Sequence, residues 1–245
     1  MRRQITEEQA RGILNAAWEE GIRYYDTSPW YGLGLSERRF GQLLYTRERD
    51  SFVLSSKVGR WREHFEVARK GAMPELVKMR EEGLIGGWGL GVNTLEPLLN
   101  TLEVSDPDIS LLATQYSLLK HDDALTRAFP ACSSRNVSLV LGAPLNSGYL
   151  AGGEYYNYNR GAPEDIAAKR ERYRALAQEH GVDLRTAALQ FCNAPNVVAA
   201  VIPGASSPEQ VRENVASIVD AKVPDAFWQA AKSQGLMHED APTPG

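Results

Sequence analysis

Thiols are scarce. The 245-residue chain has two cysteines, Cys132 and Cys192, each in an apolar or helical setting. That is too few for a disulfide scaffold, and neither has metal-ligand spacing, so reduced structural thiols in a cytoplasmic protein are expected, with no metal site. Long apolar runs are missing too. VVAAVI (197–202) is far short of a bilayer span, and residues 1–20 hold no continuous apolar stretch of a secretory signal. No membrane partner is therefore expected. Excess positive charge is absent as well: 27 Lys and Arg against 31 Asp and Glu leave a net charge of −4, with no polybasic tail. Without that charge the chain lacks what nucleic-acid binding uses to neutralise phosphates. No G-x-G-x-x-G follows the first strand-like stretch, which removes support for a dinucleotide-binding doubly wound sheet.

What the chain does have is an alternation of short apolar strands and amphipathic helices. ITEEQARGILNAAWEEG opens with Thr6 as N-cap and stops at Gly21, and Ile13, Leu14, Ala17 and Trp18 share one face. Strands are expected at 22–27, 51–58, 87–93, 108–116, 137–144 and 196–204. The helices between and after them fall at 35–44 (with Ser36 as cap), 73–85, 94–104, 122–136, about 164–180 and 184–193, 207–218 and 224–235. The stretch NSGYLAGGEYYNYNRGAP reads as irregular. Such alternation implies parallel strands joined by right-handed crossovers in one domain, residues 1–245. Asp26, Lys57, Asn93, Gln115, Leu145–Gly148 and Gly204–Ser207 all lie at or just beyond strand C-termini. A (β/α)8 TIM barrel carries its function there, so the expected α/β fold is of that type.

Taken singly, Asp26 could cap a turn, Tyr31 could be a packed loop aromatic, and Lys57 could be solvated. In order along the chain, GIRYYDTSPWYG, SSKVGR, GLGVN, TQYSLL, APLNSG and IPGASSPEQVREN resemble the motifs of the aldo-keto reductase superfamily. DTSPWYGLGLSERRFG is similar to the branch of NAD-linked aldose 1-dehydrogenases of the D-threo-aldose, L-fucose and L-galactose types. The resemblance implies a nicotinamide-dependent oxidoreductase that takes an aldose at C1 to its lactone, or reduces a carbonyl in reverse. Its partner is then a small-molecule aldose or other carbonyl compound. Asp26, Tyr31 and Lys57 would be three of four catalytic residues. A free tyrosine titrates near about 10, a nearby ammonium favours the phenolate, and a carboxylate holds that ammonium in place.

The same resemblance assigns cofactor contacts. Asn93 and Gln115 match positions that bind the nicotinamide carboxamide, and Leu145, Asn146, Ser147 and Gly148 match the loop around the pyrophosphate. Gly204, Ala205, Ser206, Ser207 and Gln210 match the adenosine-phosphate loop and helix start; Glu213 and Asn214 match the residues that contact adenine. NADP-preferring members place cations at positions held here by Gly204 and Gln210, so NAD is expected, with NADP as the alternative and Arg212 as the one cation able to compensate. Gly142 stands where many members stack an aromatic on the nicotinamide.

Six strand units are found where the resemblance implies eight, the first and fourth being missing. Between Lys57 and Met73 there is too little chain for a crossover and a further strand. His64 is therefore read as a surface residue rather than the fourth catalytic group. His121, His180 and His238 read as exposed helix-end residues. Missing strands should expose edges and favour oligomers. Two other functions stay open: an impaired remnant that binds nucleotide or a protein partner, and a pyridoxal 4-dehydrogenase, whose substrate is also a cyclic hemiacetal. The tail, 235–245, is expected to fold over the pocket mouth.

Overall fold

The computed structural model describes residues 5–58 and 65–244; His64 lies outside them. In chain order the elements are α1 (Glu7–Glu19), β1 (Tyr24–Asp26), α2 (Leu35–Leu44), β2 (Val53–Ser55), α3 (Phe65–Lys70), α4 (Ala72–Glu81), β3 (Gly91–Val92), α5 (Leu95–Val104) and β4 (Ile109–Ala113). A π-helical turn (Ala124–Ala128) runs into α6 (Phe129–Ser133), then β5 (Ser138–Gly142) and a hairpin of β6 (Tyr155–Tyr156) and β7 (Asn159–Arg160). The chain closes with α7 (Glu164–Glu179), α8 (Leu184–Asn193), β8 (Val198–Ile202), α9 (Pro208–Val219) and α10 (Asp225–Ser233). Each of the six expected strand stretches contains one of the parallel strands. No described helix is long and apolar enough to cross a membrane.

The described residues form two compact units. The first comprises residues 5–58 and 204–220. Its two strands pair in parallel, with Tyr24 beside Val53, Tyr25 beside Leu54 and Asp26 beside Ser55. Ala16, Ala17, Tyr25, Leu43, Leu44, Phe52 and Val211 make its core, flanked by Ile13, Leu14 and Trp18. Thr6 caps α1 as expected, in a reciprocal capping box with Gln9. Ser36 does not cap α2. The turn before it closes at Gly34 (φ 89°), the helix starts at Leu35, and the Ser36 hydroxyl instead accepts a hydrogen bond from Thr27 Oγ1 at 2.8 Å.

The second unit comprises residues 65–203 and 221–244, and its sheet runs β3-β4-β5-β8, all parallel. Leu98, Leu112, Leu139, Leu141, Tyr116 and Phe191 lie at its core with almost no exposure. Buried strands covered on both faces are apolar throughout, as LLA and LVL are. Gly89 shows a close approach: a Cβ there would sit 1.5 Å from the Ile109 carbonyl oxygen. Only glycine lets Trp88 and Leu90 accept hydrogen bonds from Asp108, Ile109 and Leu111 along β4. The stretch read as irregular holds the hairpin, turned through Asn157 (φ 45°) and Tyr158 (φ 74°), the left-handed pair that suits the twist of a two-residue turn.

The three described histidines are not exposed. His121 does stand at a helix start, but it is 1% exposed because both ring nitrogens find partners: Nδ1 meets Ser117 O at 2.9 Å and Nε2 accepts from His238 N at 3.1 Å. Burial, with Lys169 adding to it, lowers its pKa to about 4. His180 caps α7, half-buried and edge-on to Phe227, and His238 is half-buried in the tail. That tail packs into this unit's core through Leu236, Met237 and Ala241, and Tyr173 Oη donates to Leu236 O at 2.9 Å.

Candidate active site

Side-chain alternation along β2 explains why three distant residues meet in the first unit. Register places Ser55 beside Asp26, and Lys57, two residues on, returns to the face of Ser55. Lys57 Nζ donates to Asp26 Oδ2 at 2.6 Å and to Thr27 O at 2.9 Å. The other carboxylate oxygen, Asp26 Oδ1, accepts from Ser55 Oγ at 2.7 Å, and Ser55 Oγ lies 3.0 Å from Tyr24 Oη. The Asp26 side chain is 8% exposed and that of Lys57 24%, so the pair is partly sheltered, and each carboxylate oxygen has a donor.

The loop after β1 presents Tyr31. Ser28 O accepts from Tyr31 N at 3.0 Å, Pro29 O accepts from Gly34 N at 2.8 Å, and Gly32, Leu33 and Gly34 in succession take positive φ. This turn leaves Tyr31 about half-exposed, with its ring centroid 5.1 Å from Lys57 Nζ. Tyr24 and Tyr25 are different: burial pushes both phenols above the usual tyrosine range. The described part of this unit contains no histidine.

Also in the first unit, Ser207 caps α9 and accepts from Gln210 N at 3.3 Å, while Gln210 Oε1 accepts from Ser206 N at 2.8 Å and Ser206 Oγ at 2.9 Å. Gly204 and Ala205 lead into this cap. Further along the helix Glu213 is exposed and Asn214 buried. Arg212 turns to α1, its guanidinium 3.5 Å from Glu20 and 3.9 Å from Glu19.

In the second unit Asn93 follows β3 and Gln115 follows β4. Gln115 Nε2 donates to Asn93 O at 2.6 Å. Leu145 packs on the core. Asn146 is fully buried; its Nδ2 donates to Asn157 Oδ1 at 2.9 Å and its Oδ1 has no partner among the described residues. Ser147 Oγ accepts from Tyr158 N at 2.9 Å. Asn146 and Ser147 thus tie the loop to the hairpin, and Gly148 (φ 92°) has open space where a Cβ would stand. Gly142 is an interior position, its missing Cβ 3.1 Å from Ala113 Cβ.

Two participants are absent from the sequence reading. Ser55 was legible in principle, being the residue two before Lys57 on the same strand face. Lys120, whose Nζ donates to Gln115 Oε1 at 2.8 Å, had no signal because an irregular turn brings it there.

Comparison with known proteins identifies the family. The model of the aldo/keto reductase family matches residues 1–72 and 64–233. The chain belongs to that family. It is an oxidoreductase of aldo/keto reductase type, with a fold of the (β/α)8-barrel class and six parallel strands among the described residues. D-threo-aldose 1-dehydrogenase from Pseudomonas sp is 29% identical over 307 aligned positions, covering 99% of this chain and 91% of that protein. Pyridoxal 4-dehydrogenase from Microbacterium luteolum is 30% identical over 312 positions, covering 95% and 90%. Among solved structures, the holo form of aldo-keto reductase AKR11C1 from Bacillus halodurans superposes with a TM-score of 0.75 at 24% identity, covering 97% of this chain and 91% of that one. The aldo/keto reductase from Klebsiella pneumoniae in complex with NADP and acetate gives 0.69 at 19%, covering 97% and 89%. Both relatives align over more positions than the chain's 245 residues, so they carry internal segments that this chain does not. The family model matches residues 64–72 twice, once from each side, and this locates one such break.

Proposed function

We propose that the chain is a nicotinamide-dependent dehydrogenase, working as a single domain, that oxidises a cyclic aldose at C1 to its lactone. The observation that carries this reading is the Lys57 ammonium, held 2.6 Å from Asp26 Oδ2 with the Tyr31 ring centroid 5.1 Å away. Tyr31 takes the proton of the anomeric hydroxyl as the C1–H bond breaks. Lys57 stabilises the negative charge on the phenol oxygen that accepts it. Asp26 aims the ammonium, and Ser55 fixes the second carboxylate oxygen. The nicotinamide cofactor, when bound, supplies the two-electron acceptor for the hydride. The similarity to D-threo-aldose 1-dehydrogenase supports the sugar class.

The residues present suit such a cofactor. Gln115 offers an amide of fixed orientation whose oxygen keeps capacity for a second hydrogen bond. Asn93 stands beside it. The Leu145–Gly148 loop has space at Gly148 for a close backbone approach to the pyrophosphate, its Asn146 and Ser147 supplying the frame. Gly204, Ala205, Ser206, Ser207 and Gln210 serve the adenosine phosphate, with Glu213 and Asn214 at the adenine. NAD is favoured over NADP: Gly204 and Gln210 carry no charge to meet a 2′-phosphate, and the Arg212 guanidinium is turned to Glu19 and Glu20.

A second reading, oxidation of pyridoxal, is favoured by the 30% identity to pyridoxal 4-dehydrogenase. One assay separates the two: NADH appearance with a panel of aldoses and with pyridoxal, each with NAD and with NADP. Turnover of at least one aldose with NAD is expected. Turnover of pyridoxal alone transfers the site to the second substrate. Nucleotide binding without turnover of any compound makes the chain an impaired remnant.

A further inference from the structure

Lys120 carries a charge that the catalytic trio and the nucleotide loops do not use. Its backbone is fixed independently of its side chain. Ser117 N donates to Lys120 O at 2.8 Å, and Ser117 Oγ accepts from Leu119 N and Lys120 N, both at 3.3 Å. From this turn Lys120 Nζ reaches Gln115 Oε1 at 2.8 Å. The opposite end of the same amide, Nε2, donates to Asn93 O at 2.6 Å and contacts Thr114 Oγ1 at 3.3 Å. Amide oxygen and nitrogen are chemically opposite, so a cation on one side and a carbonyl on the other allow one flip state only. Gln115 is 8% exposed, which shields the group from competing water.

Resting on the reading that Gln115 receives the nicotinamide carboxamide, we propose that Lys120 is a positioning residue with two effects. It fixes the amide that meets the carboxamide, and its charge makes the pocket favour the reduced, uncharged ring over the oxidised, cationic one. The second effect follows from sign alone. Oxidised nicotinamide bears a positive ring and reduced nicotinamide does not, so a fixed ammonium nearby repels one and not the other. In a half-buried setting a nearby like charge shifts such an equilibrium by roughly tenfold. For aldose oxidation this bias pulls the hydride forward and slows release of the reduced cofactor.

The test is equilibrium titration of the full chain with NADH, followed by NADH fluorescence, and displacement by NAD, for wild type, Lys120→Met and Lys120→Arg. Wild type is expected to hold NADH more tightly than NAD. In Lys120→Met the ratio of the two affinities narrows about tenfold, and in Lys120→Arg, which keeps the charge, it stays within about twofold of wild type. A ratio unchanged in Lys120→Met, including equal weakening of both nucleotides, overturns this inference and leaves the cofactor reading standing. Failure of wild type to bind either nucleotide overturns both.

Discussion

Lys57 gains both of its oxygen partners only on folding, because Asp26 and Thr27 lie about 30 residues away in sequence. Removing the charge and removing its anchor should therefore differ in cost. Lys57→Met is expected to lower kcat by about a hundredfold or more. Asp26→Asn leaves the ammonium present but loosely aimed, for a loss of about ten- to a hundredfold. Steady-state kinetics of the two variants check the order. His121 makes a different prediction, about stability. In the folded chain burial holds its pKa at about 4, with Asp122, Lys169 and His238 as its charged and titratable neighbours, whereas an unfolded histidine titrates near about 6.5. Between those values the unfolded chain binds the additional proton. The stability contributed by neutral His121 is thus complete above about 6.5 and drains away as pH falls toward 4, by up to about 1.4 kcal/mol per pH unit. Urea unfolding at stepped pH should show that slope in wild type and its loss in His121→Gln. Asp26, Tyr31 and Lys57 were legible as residues because strand ends and motif order single them out. The burial of His121 was not, since its partners come from Ser117 and from the tail 117 residues on.

At the scale of elements, helices with strong caps were read well. α8 runs over Leu184–Asn193 as expected, with Asp183 accepting from Arg185 N, and α9 starts at Pro208 behind Ser207. Ser207→Ala removes the side-chain acceptor for Gln210 N and is expected to cost about 1 kcal/mol, read as a lower urea midpoint with an unchanged slope. Local geometry overrides the sequence pattern at three places. Ser36 has the chemistry of a cap, yet three successive left-handed residues at 32–34 start the helix one residue before it. The 122–136 helix contains Pro130, whose ring excludes the usual carbonyl partner. The turn before it widens, and Phe129 N donates to Ala124 O instead. The hairpin at 155–160 was hidden because an Asn-Tyr turn in place of Asn-Gly gives a weak signal.

For the molecule as a whole, six parallel strands were legible because buried parallel strands are short apolar runs. The division into two compact units was not, because it depends on which distant segments pack together; Gly204–Asp220 joins residues near the N-terminus. The stretch between Lys57 and Met73 was visibly too short for another strand unit, and the family model breaks within it. Val53 on β2 is 59% exposed on a strand whose described partner is β1 alone. Exposed aliphatic edges promote pairing between chains. Val53→Lys is accordingly expected to shift the chain toward monomer in sedimentation velocity at rising concentration, with kcat unchanged. The measurement that tests the central claim most directly is the rate of NADH formation by the full chain at saturating NAD and aldose, wild type against Tyr31→Phe. That substitution removes one hydroxyl from a half-exposed ring, so the fold stays and the proton acceptor goes. A fall of about a hundredfold or more is the predicted result, and turnover by Tyr31→Phe at the wild-type rate would contradict it.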